Sequence, residues 1–271
     1  MDKNYLERAA REIDRAGAIL IAAGAGMGVD SGLPDFRGDK GFWKAYPQLK
    51  DEGVSFMDLA NPEWFLSDPE RAWGFYGHRF MLYQSAKPHE GFQILQKWGS
   101  RKLVKPFVFT SNVDGHFQKA GFDPGSVYEC HGSINYLQCA NNCSRAIWSF
   151  PKLTFEIGAD LRAKGKLPTC PKCGFVARPN ILMFGDWSWN KVRSDQQEIA
   201  FRAWKRQAMN HRLVAIEIGA GKNIPTVRMS AESMNCTLIR INLRDADKGR
   251  RVIPISGKAL DVLERLEQLF I

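Results

Sequence analysis

The chain has 271 residues, 44% of them hydrophobic, and no low-complexity run, so it can bury one large core or a core with small appendages. Its longest apolar run, residues 16–29, is fourteen residues rich in Ala and Gly, short of the roughly 20 a membrane helix needs. Fifteen residues of both charge signs precede it, so no secretory signal is expected and a cytoplasmic location is. The net charge of +9 favours anionic ligands, but the basic residues are scattered, which reads as solvated surface and does not indicate nucleic acid.

In chain order, Leu6, Ala9, Ala10, Ile13 and Ala16 recur at spacings of three and four, predicting an amphipathic helix over residues 2–16. The run from Ala18 to Ala23 lacks polar alternation, reads as a buried parallel strand, and empties into Gly24, Ala25, Gly26 and Gly28. Glycines at a strand end let backbone approach a ligand closely, the usual way of meeting nucleotide phosphates. As a dinucleotide fingerprint the loop is incomplete, because Val29 stands where a third glycine belongs and no acid follows convincingly about 20 positions on. The continuation through Pro34, Asp35, Phe36 and Arg37 sets a rigid proline before an acid, an aromatic and a guanidinium; a surface turn is the alternative.

Residues 38–85 crowd Trp43, Phe56, Trp64, Phe65, Trp73 and Phe75 among short helical patterns, a helical insertion. Within it Asp68-Pro69 supplies an N-cap and a first-turn proline for a helix to about Ser85, on which Tyr76 and Arg79 share one face. Pro88-His89-Glu90-Gly91 opens the next helix. A second strand, 107–110, ends in Ser111, Asn112 and Asp114, at the strand end where open α/β sheets bind ligands. Asn112 and Asp114 either face that site together or serve a local turn.

A third strand, 126–130, delivers His131 ahead of a glycine, an imidazole suited to proton transfer near neutrality. Of six cysteines, Cys139/Cys143 and Cys170/Cys173 form two close pairs, which read as a tetrahedral zinc site before a disulfide framework. Cys130 and Cys236 lie in apolar strands and read as core. Residues 178–186 suggest another strand and turn, while 213–218 and 237–243 give two strands ending at Gly219-Ala220-Gly221 and Asn242. A closing amphipathic helix through Leu260, Leu263, Leu266 and Leu269 follows Gly257-Lys258-Ala259. The class is α/β: a Rossmann-like parallel sheet from residues 1–37, 86–131 and 181–271, with a helical module at 38–85 and a small zinc-binding module at 132–180.

The stretch GAGMGVDSGLPDFR resembles the signature of the sirtuins, NAD-dependent protein deacylases, G-A-G-x-S-x-x-S-G-I-P-D-F-R. TSNVDGHFQKAG resembles their T-Q-N-I-D-x-L-H-x-x-A-G, ECHGS their E-x-H-G-S, and RPNILMFGD their R-P-x-V-V-x-F-G-E. The resemblance implies NAD contacts from Gly24, Ala25, Gly26, Asp35, Phe36, Arg37, Ser111, Asn112, Asp114, Gly219, Ala220, Asn242 and Ala259. By it, Asn112 and Asp114 hold the nicotinamide carboxamide, Asn242 holds the adenosine ribose, and His131 acts as general base with Asn112 in the catalytic set. It also implies zinc on the four paired cysteines and an acyl-lysine protein or peptide pairing as an added strand at Phe184 and Gly185.

The string WGFYGHR resembles the Tyr-x-x-Arg helix of sirtuins that act on succinyl- or malonyl-lysine, implying that Tyr76 and Arg79 bind the distal carboxylate. The implied reaction releases nicotinamide, free lysine and O-acyl-ADP-ribose. Gly28, Ser111, Phe117 and the Ala220-Gly221 pair depart from the family pattern. They leave two other readings: a mono-ADP-ribosyltransferase or NAD hydrolase on the same scaffold, or a non-catalytic NAD- or ADP-ribose-binding module.

Overall fold

A computed structural model describes residues 2–34, 42–43 and 46–270; Asp35, Phe36 and Arg37 lie outside the described residues. The first helix, Lys3–Arg15, starts on Asp2, whose side chain accepts from the Asn4 amide, and buries Leu6, Ala9, Ala10 and Ile13. Eleven strands follow among the described residues: β1 (Ala18–Ala23), β2 (Phe107–Thr110), β3 (Val127–Glu129), β4 (Gly132–Cys139), β5 (Ile147–Ser149), β6 (Glu156–Ile157), β7 (Ala163–Lys164), β8 (Ala177–Ile181), β9 (Leu213–Ile218), β10 (Thr237–Asn242) and β11 (Val252–Ser256).

Six of them form one wholly parallel sheet in the order β11-β10-β9-β1-β2-β3. Every residue of β1, β2 and β9 is buried, as apolar strands covered on both faces must be. Helices Lys3–Arg15, Glu90–Ser100 and Ala259–Glu267 cover one face, with Ile19, Ile21 and Ala23 turned toward them. Helices Val192–Ala208 and Thr226–Glu232 cover the other, over Ala18, Leu20 and Ala22. The chain runs outward through β1, β2 and β3, then returns to β9 on the other side of β1 and runs outward again. That reversal between β1 and β9 is the switch point at whose carboxyl end open α/β sheets take their ligands.

The closing helix corrects one expectation. It buries Ala259, Val262, Leu263 and Leu266, whereas Leu260 is half-buried and Leu269 is exposed beyond its end. A strict three-residue spacing drifts around a helix of 3.6 residues per turn, so the core-facing stripe steps by three and by one instead.

The remaining elements build a second lobe. Short helices Pro47–Asp51, Phe56–Leu59 and Trp64–Ser67 precede the long helix Pro69–Ser85, which begins as its sequence requires, with the Asp68 side chain accepting from the Arg71 amide. Two antiparallel sheets, β5-β4-β8 and β6-β7, pack against them. Phe65, Trp73, Phe75 and Tyr76 share one apolar cluster with Ile134, Leu137, Phe150 and Phe155, so the helical and cysteine-bearing segments have a common core. Trp73 Nε1 donates to the Ala177 carbonyl at 2.9 Å, and Arg162 grips Asp68 through two bonds of 2.7 and 2.8 Å. No helix among the described residues is long and apolar enough to cross a membrane.

The long helix can approach its neighbour this closely only because residue 74 is glycine. A Cβ there would stand 1.8 Å from the Leu161 carbonyl oxygen. Gly74→Ala is expected to cost about 2 kcal/mol or more through overpacking, seen as a fall of roughly 5 °C in the thermal unfolding midpoint. An unchanged midpoint would show that the helix and the backbone at Leu161 do not touch.

Candidate active site

β1 stops at Ala23 and the chain folds through two single turns, Ala25–Met27 and Val29–Ser31. The Gly24 amide donates to the Ile218 carbonyl at 2.9 Å, the Gly26 amide to Gly219 at 3.1 Å, and the Gly219 amide to Ile241 at 2.9 Å. The turns after β1 and β9 therefore lie backbone against backbone. A Cβ on Gly24 would come 2.7 Å from the Ala220 Cα, and one on Gly219, where φ is +62°, 2.4 Å from the Gly26 Cα. Only glycine satisfies that approach.

β2 reaches the same point. Asn112 Nδ2 donates to the Gly24 carbonyl at 3.0 Å, and the Ser111 amide donates to Ala23 at 3.3 Å. Thr110, which opens the string TSNVDGHFQKAG but has no role implied by it, donates its hydroxyl to the Ala23 carbonyl at 2.8 Å and accepts from the Asn112 amide at 3.0 Å. Asp114 behaves differently: its Oδ1 accepts from the His116 amide at 2.9 Å, a local turn bond, while Oδ2 faces Gly28. The two readings of this pair thus divide, with Asn112 crossing to the glycine loop and Asp114 bracing its own turn.

The cleft at the switch point is lined by Gly26, Asp30, Gly219, Asn242, Lys258 and Ala259, among others. Ala25 is exposed, and Ala220 is buried. Asn242 is buried and its amide is occupied by the protein: Nδ2 donates to the Ala220 carbonyl at 2.8 Å, and Oδ1 accepts from the Arg244 and Asp245 amides at 3.1 and 3.0 Å. In this state its side chain shapes the cleft walls. Asp30 Oδ2 accepts from the Leu260 amide at 3.0 Å, tying the glycine loop to the last helix.

His89 is a further support that spacing could not announce. Its Nε2 donates to the Met27 carbonyl at 2.9 Å, its Nδ1 accepts from the Gly91 amide at 3.0 Å, and its own amide donates to Ser31 Oγ at 3.1 Å. Both ring contacts require the neutral Nε2–H tautomer. Burial holds this imidazole below its ordinary value, outweighing the opposing pull of the Met27 carbonyl and of Asp30.

His131 lies between β3 and β4, beside the end of β2, because the Cys130 amide donates to Thr110 and the Ile134 amide to Val113, each at 2.9 Å. Burial lowers the pKa of this imidazole also, so it is neutral at pH 7 and able to accept a proton. Its carbonyl accepts from the Leu182 amide at 3.0 Å, which draws the segment after β8 alongside. There Arg178 holds Asp186 through bonds of 2.8 and 2.9 Å, both side chains buried, and Asp186 also accepts from the Ser188 amide at 3.0 Å. Both carboxylate oxygens are thus met by the two prongs of one guanidinium.

The Phe184 amide donates to the Ala60 carbonyl at 2.9 Å, its ring meets Phe56 edge-on at 5.9 Å, and Gly185 is exposed at the turn. Phe56 continues inward to Arg79, whose Cζ lies 5.6 Å from its ring and 5.6 Å from the Tyr76 ring. Arg79 Nε and Nη2 donate to the Tyr83 hydroxyl at 3.1 and 2.7 Å. The Tyr76 hydroxyl is buried with no hydrogen-bond partner among the described residues, and burial pushes its pKa up to about 12, so it remains a donor.

The four paired cysteines take part in none of these contacts. Their sulfurs lie within 4.8 Å of one another, with Cys139–Cys173 at 3.6 Å and Cys143–Cys170 at 3.5 Å. Four thiolates about 2.3 Å from a tetrahedral zinc are about 3.8 Å apart, so the set fits that ion. The C-x3-C spacing is accommodated by Asn142 in the left-handed region at φ +49°, a conformation asparagine tolerates. No ligand position is left over, so zinc here would be structural.

Two outcomes follow from this geometry. The unfolded chain binds protons at His89 and His131 as pH falls through 6.5, whereas the folded chain resists until lower pH. Their contribution to stability is complete above 6.5 and is lost as pH drops from there toward the folded values. The thermal midpoint should hold steady from pH 8 to 7 and decline between 6.5 and 5, with a shallower decline in His89→Gln. For the metal, elemental analysis should find about one zinc per chain, and chelation or Cys170→Ser should lower the midpoint; a zinc-free chain of equal stability would contradict the assignment.

A family model described as the Sir2 family matches residues 24–202, well over half of the chain. An NAD-dependent protein deacylase of Thermococcus kodakarensis is 34% identical over 181 residues, 67% of this chain and 65% of that protein. An NAD-dependent protein deacetylase of Saccharolobus solfataricus is 33% identical over 180 residues, again 65% of that protein, so the chain spans about two thirds of these relatives' length. A deacylase of Aeropyrum pernix is 29% identical over 246 residues, 90% of this chain and 89% of that protein. Among solved structures, a Sir2 homologue–NAD complex has the same fold, with a TM-score of 0.72 at 24% identity over 97% of this chain and 93% of that one. By the family model, the parallel sheet and the four-cysteine cluster together, this chain belongs to the Sir2 family, the sirtuins.

Proposed function

We propose that this chain is an NAD-dependent protein-lysine deacylase. The observation that carries the reading is the meeting of three strand ends at one cleft, with Asn112 bonded to the Gly24 carbonyl and the Gly26 amide bonded to Gly219. Relatives named as such enzymes, and Sir2 homologues solved with NAD or ADP-ribose, support it. On this reading the dinucleotide lies along Gly24, Ala25, Gly26, Gly219 and Ala220, with its adenosine end toward Asn242 and Ala259. Asp35, Phe36 and Arg37 belong to the same set, and Ser111, Asn112 and Asp114 face the nicotinamide end. An extended acyl-lysine peptide adds as a strand beside Phe184 and Gly185.

Chemically, a bound NAD would supply an anomeric carbon that the acyl carbonyl oxygen attacks with loss of nicotinamide. His131 would accept the proton of the ribose hydroxyl that then adds to the acyl carbon, and a water would complete the transfer, freeing the lysine amine and leaving the acyl group as a ribose ester. The depressed pKa of His131 keeps the lone pair available at neutral pH. Mixing protein, NAD and acyl-lysine peptide should give loss of the acyl mass and an O-acyl-ADP-ribose, both absent in a folded His131→Asn variant. Addition of ADP-ribose, or its release alone, would favour the transfer or hydrolysis readings that Gly28, Ser111, Phe117 and Ala220 motivate. Binding of NAD without turnover would favour a binding module.

The acyl group we infer is an acidic one, succinyl or malonyl. Tyr76 offers a buried hydroxyl donor with no partner among the described residues, and Arg79 a cation held among the rings of Phe56, Phe75, Tyr76 and Tyr83. A carboxylate entering there gains a charged donor and a neutral one in surroundings of low polarity. Arg79→Met should reduce desuccinylation by about a hundredfold, from loss of a buried charged pair, and deacetylation only a few-fold. Equal losses on both substrates would exclude the carboxylate role.

A further inference from the structure

The loop at Gly219-Ala220-Gly221 has no hydroxyl side chain, yet one end of the cleft depends on it. What fixes it lies behind. Arg228, on the helix Thr226–Glu232, is 8% exposed and extends its guanidinium under two loops at once. Its Nη2 donates to the Asp245 carbonyl at 2.8 Å and reaches the Ala220 carbonyl at 3.5 Å, while Nη1 donates to Asp247 Oδ2 at 2.8 Å. Glu217, fully buried in β9, lies 3.5 Å from the same fork.

Glu217 is also held from the next strand. It stands opposite Arg240 in the β9–β10 register, and Arg240 binds both of its carboxylate oxygens at 2.9 Å. Glu232 takes a further bond from Arg240, and Lys222 reaches Asp247 at 2.9 Å. Buried charges are costly to desolvate, and apolar residues could fill such a site at no net loss. A planar fork with several donors, however, fixes the relative position of its acceptors in a way that packing cannot.

We propose that Arg228 is the positioning residue of the adenosine end of the cleft: its fork clamps the loop at residues 219–221 to the loop at residues 243–248 and so sets the width between them. The proposal rests on reading this cleft as the dinucleotide site. Asn242 shares the work, because its Nδ2 holds the same Ala220 carbonyl and its Oδ1 the amides that begin the second loop. No atom of Arg228 needs to touch the ligand; it acts through the two loops.

The test uses the whole chain and two readouts. In ligand-free hydrogen exchange followed by mass spectrometry, Arg228→Met should accelerate exchange about tenfold in peptides covering 219–221 and 243–248, with the rest of the sheet unchanged. In steady-state kinetics it should raise the KM for NAD about tenfold and leave kcat within about twofold, as loss of binding alone requires. Arg228→Lys should behave like Arg228→Met, since one ammonium cannot span the acceptors. Should Arg228→Met not fold, Asp247→Asn, which alters a half-exposed partner and empties no space, should shift both readouts in the same direction by less. Unchanged exchange in the two loops, or full recovery by lysine, overturns the clamp. If the unmodified chain does not bind NAD, the reading of the cleft fails, and the exchange experiment still decides whether Arg228 joins the loops.

Discussion

The contact on which the site depends is made of main chain alone. Two turns, one after β1 and one after β9, touch through Gly24, Gly26 and Gly219, with no side chain between them. That closeness brings both turns to one cleft, at the reversal of strand order, where neighbouring strand ends are left uncovered by a crossover. Thr110, Asn112, Asp30 and His89 then brace the arrangement from three directions, each by a bond to a loop carbonyl, a loop hydroxyl or a neighbouring helix amide.

Around that contact the protein places charge where most cores place hydrocarbon. Arg178–Asp186 fixes the turn that carries Phe184 and Gly185, Glu217–Arg240 underlies the loop after β9, and Arg79 lies among aromatic rings. None of these is an economical way to gain stability, since desolvation offsets much of the attraction. What they share is a guanidinium, whose fixed fork specifies direction. The lobes therefore combine a well-packed apolar interior with a few rigid polar joints.

Much of this was legible in the residues. β1 announces itself as an unbroken apolar run ending at Gly24, β2, β9 and β10 as largely apolar runs ending near Ser111, Gly219 and Asn242, and Asp68-Pro69 marks its helix start to the residue. The cysteine spacing gave the four-sulfur cluster, because a tight turn must bring such pairs together. What could not be read was who partners whom across the sheet. Glu217 looks like a polar interruption in an apolar strand until register sets it against Arg240. The same limit applies to the side-chain oxygen of Asn242 and to Oδ1 of Asp114: a sequence displays their hydrogen-bonding capacity, but not that backbone amides already occupy it. His89 was visible as a helix opening, whereas its bond to Met27 joins residues 62 apart.

The second lobe carries a consequence for how the chain comes to be folded. Its long helix is completed by partners that arrive far later: Trp73 bonds to Ala177, 104 residues downstream. A nascent chain that has emerged only as far as Ser85 covers Trp73, Phe75 and Tyr76 on one side alone, with earlier aromatic residues such as Phe42, Tyr46 and Phe65, since most of the rest of their cluster comes from residues 134–183. Such loops are slow to close and leave apolar surface open meanwhile. During synthesis, the interval between emergence of the long helix and of β8 is thus when this protein most needs shielding by a chaperone.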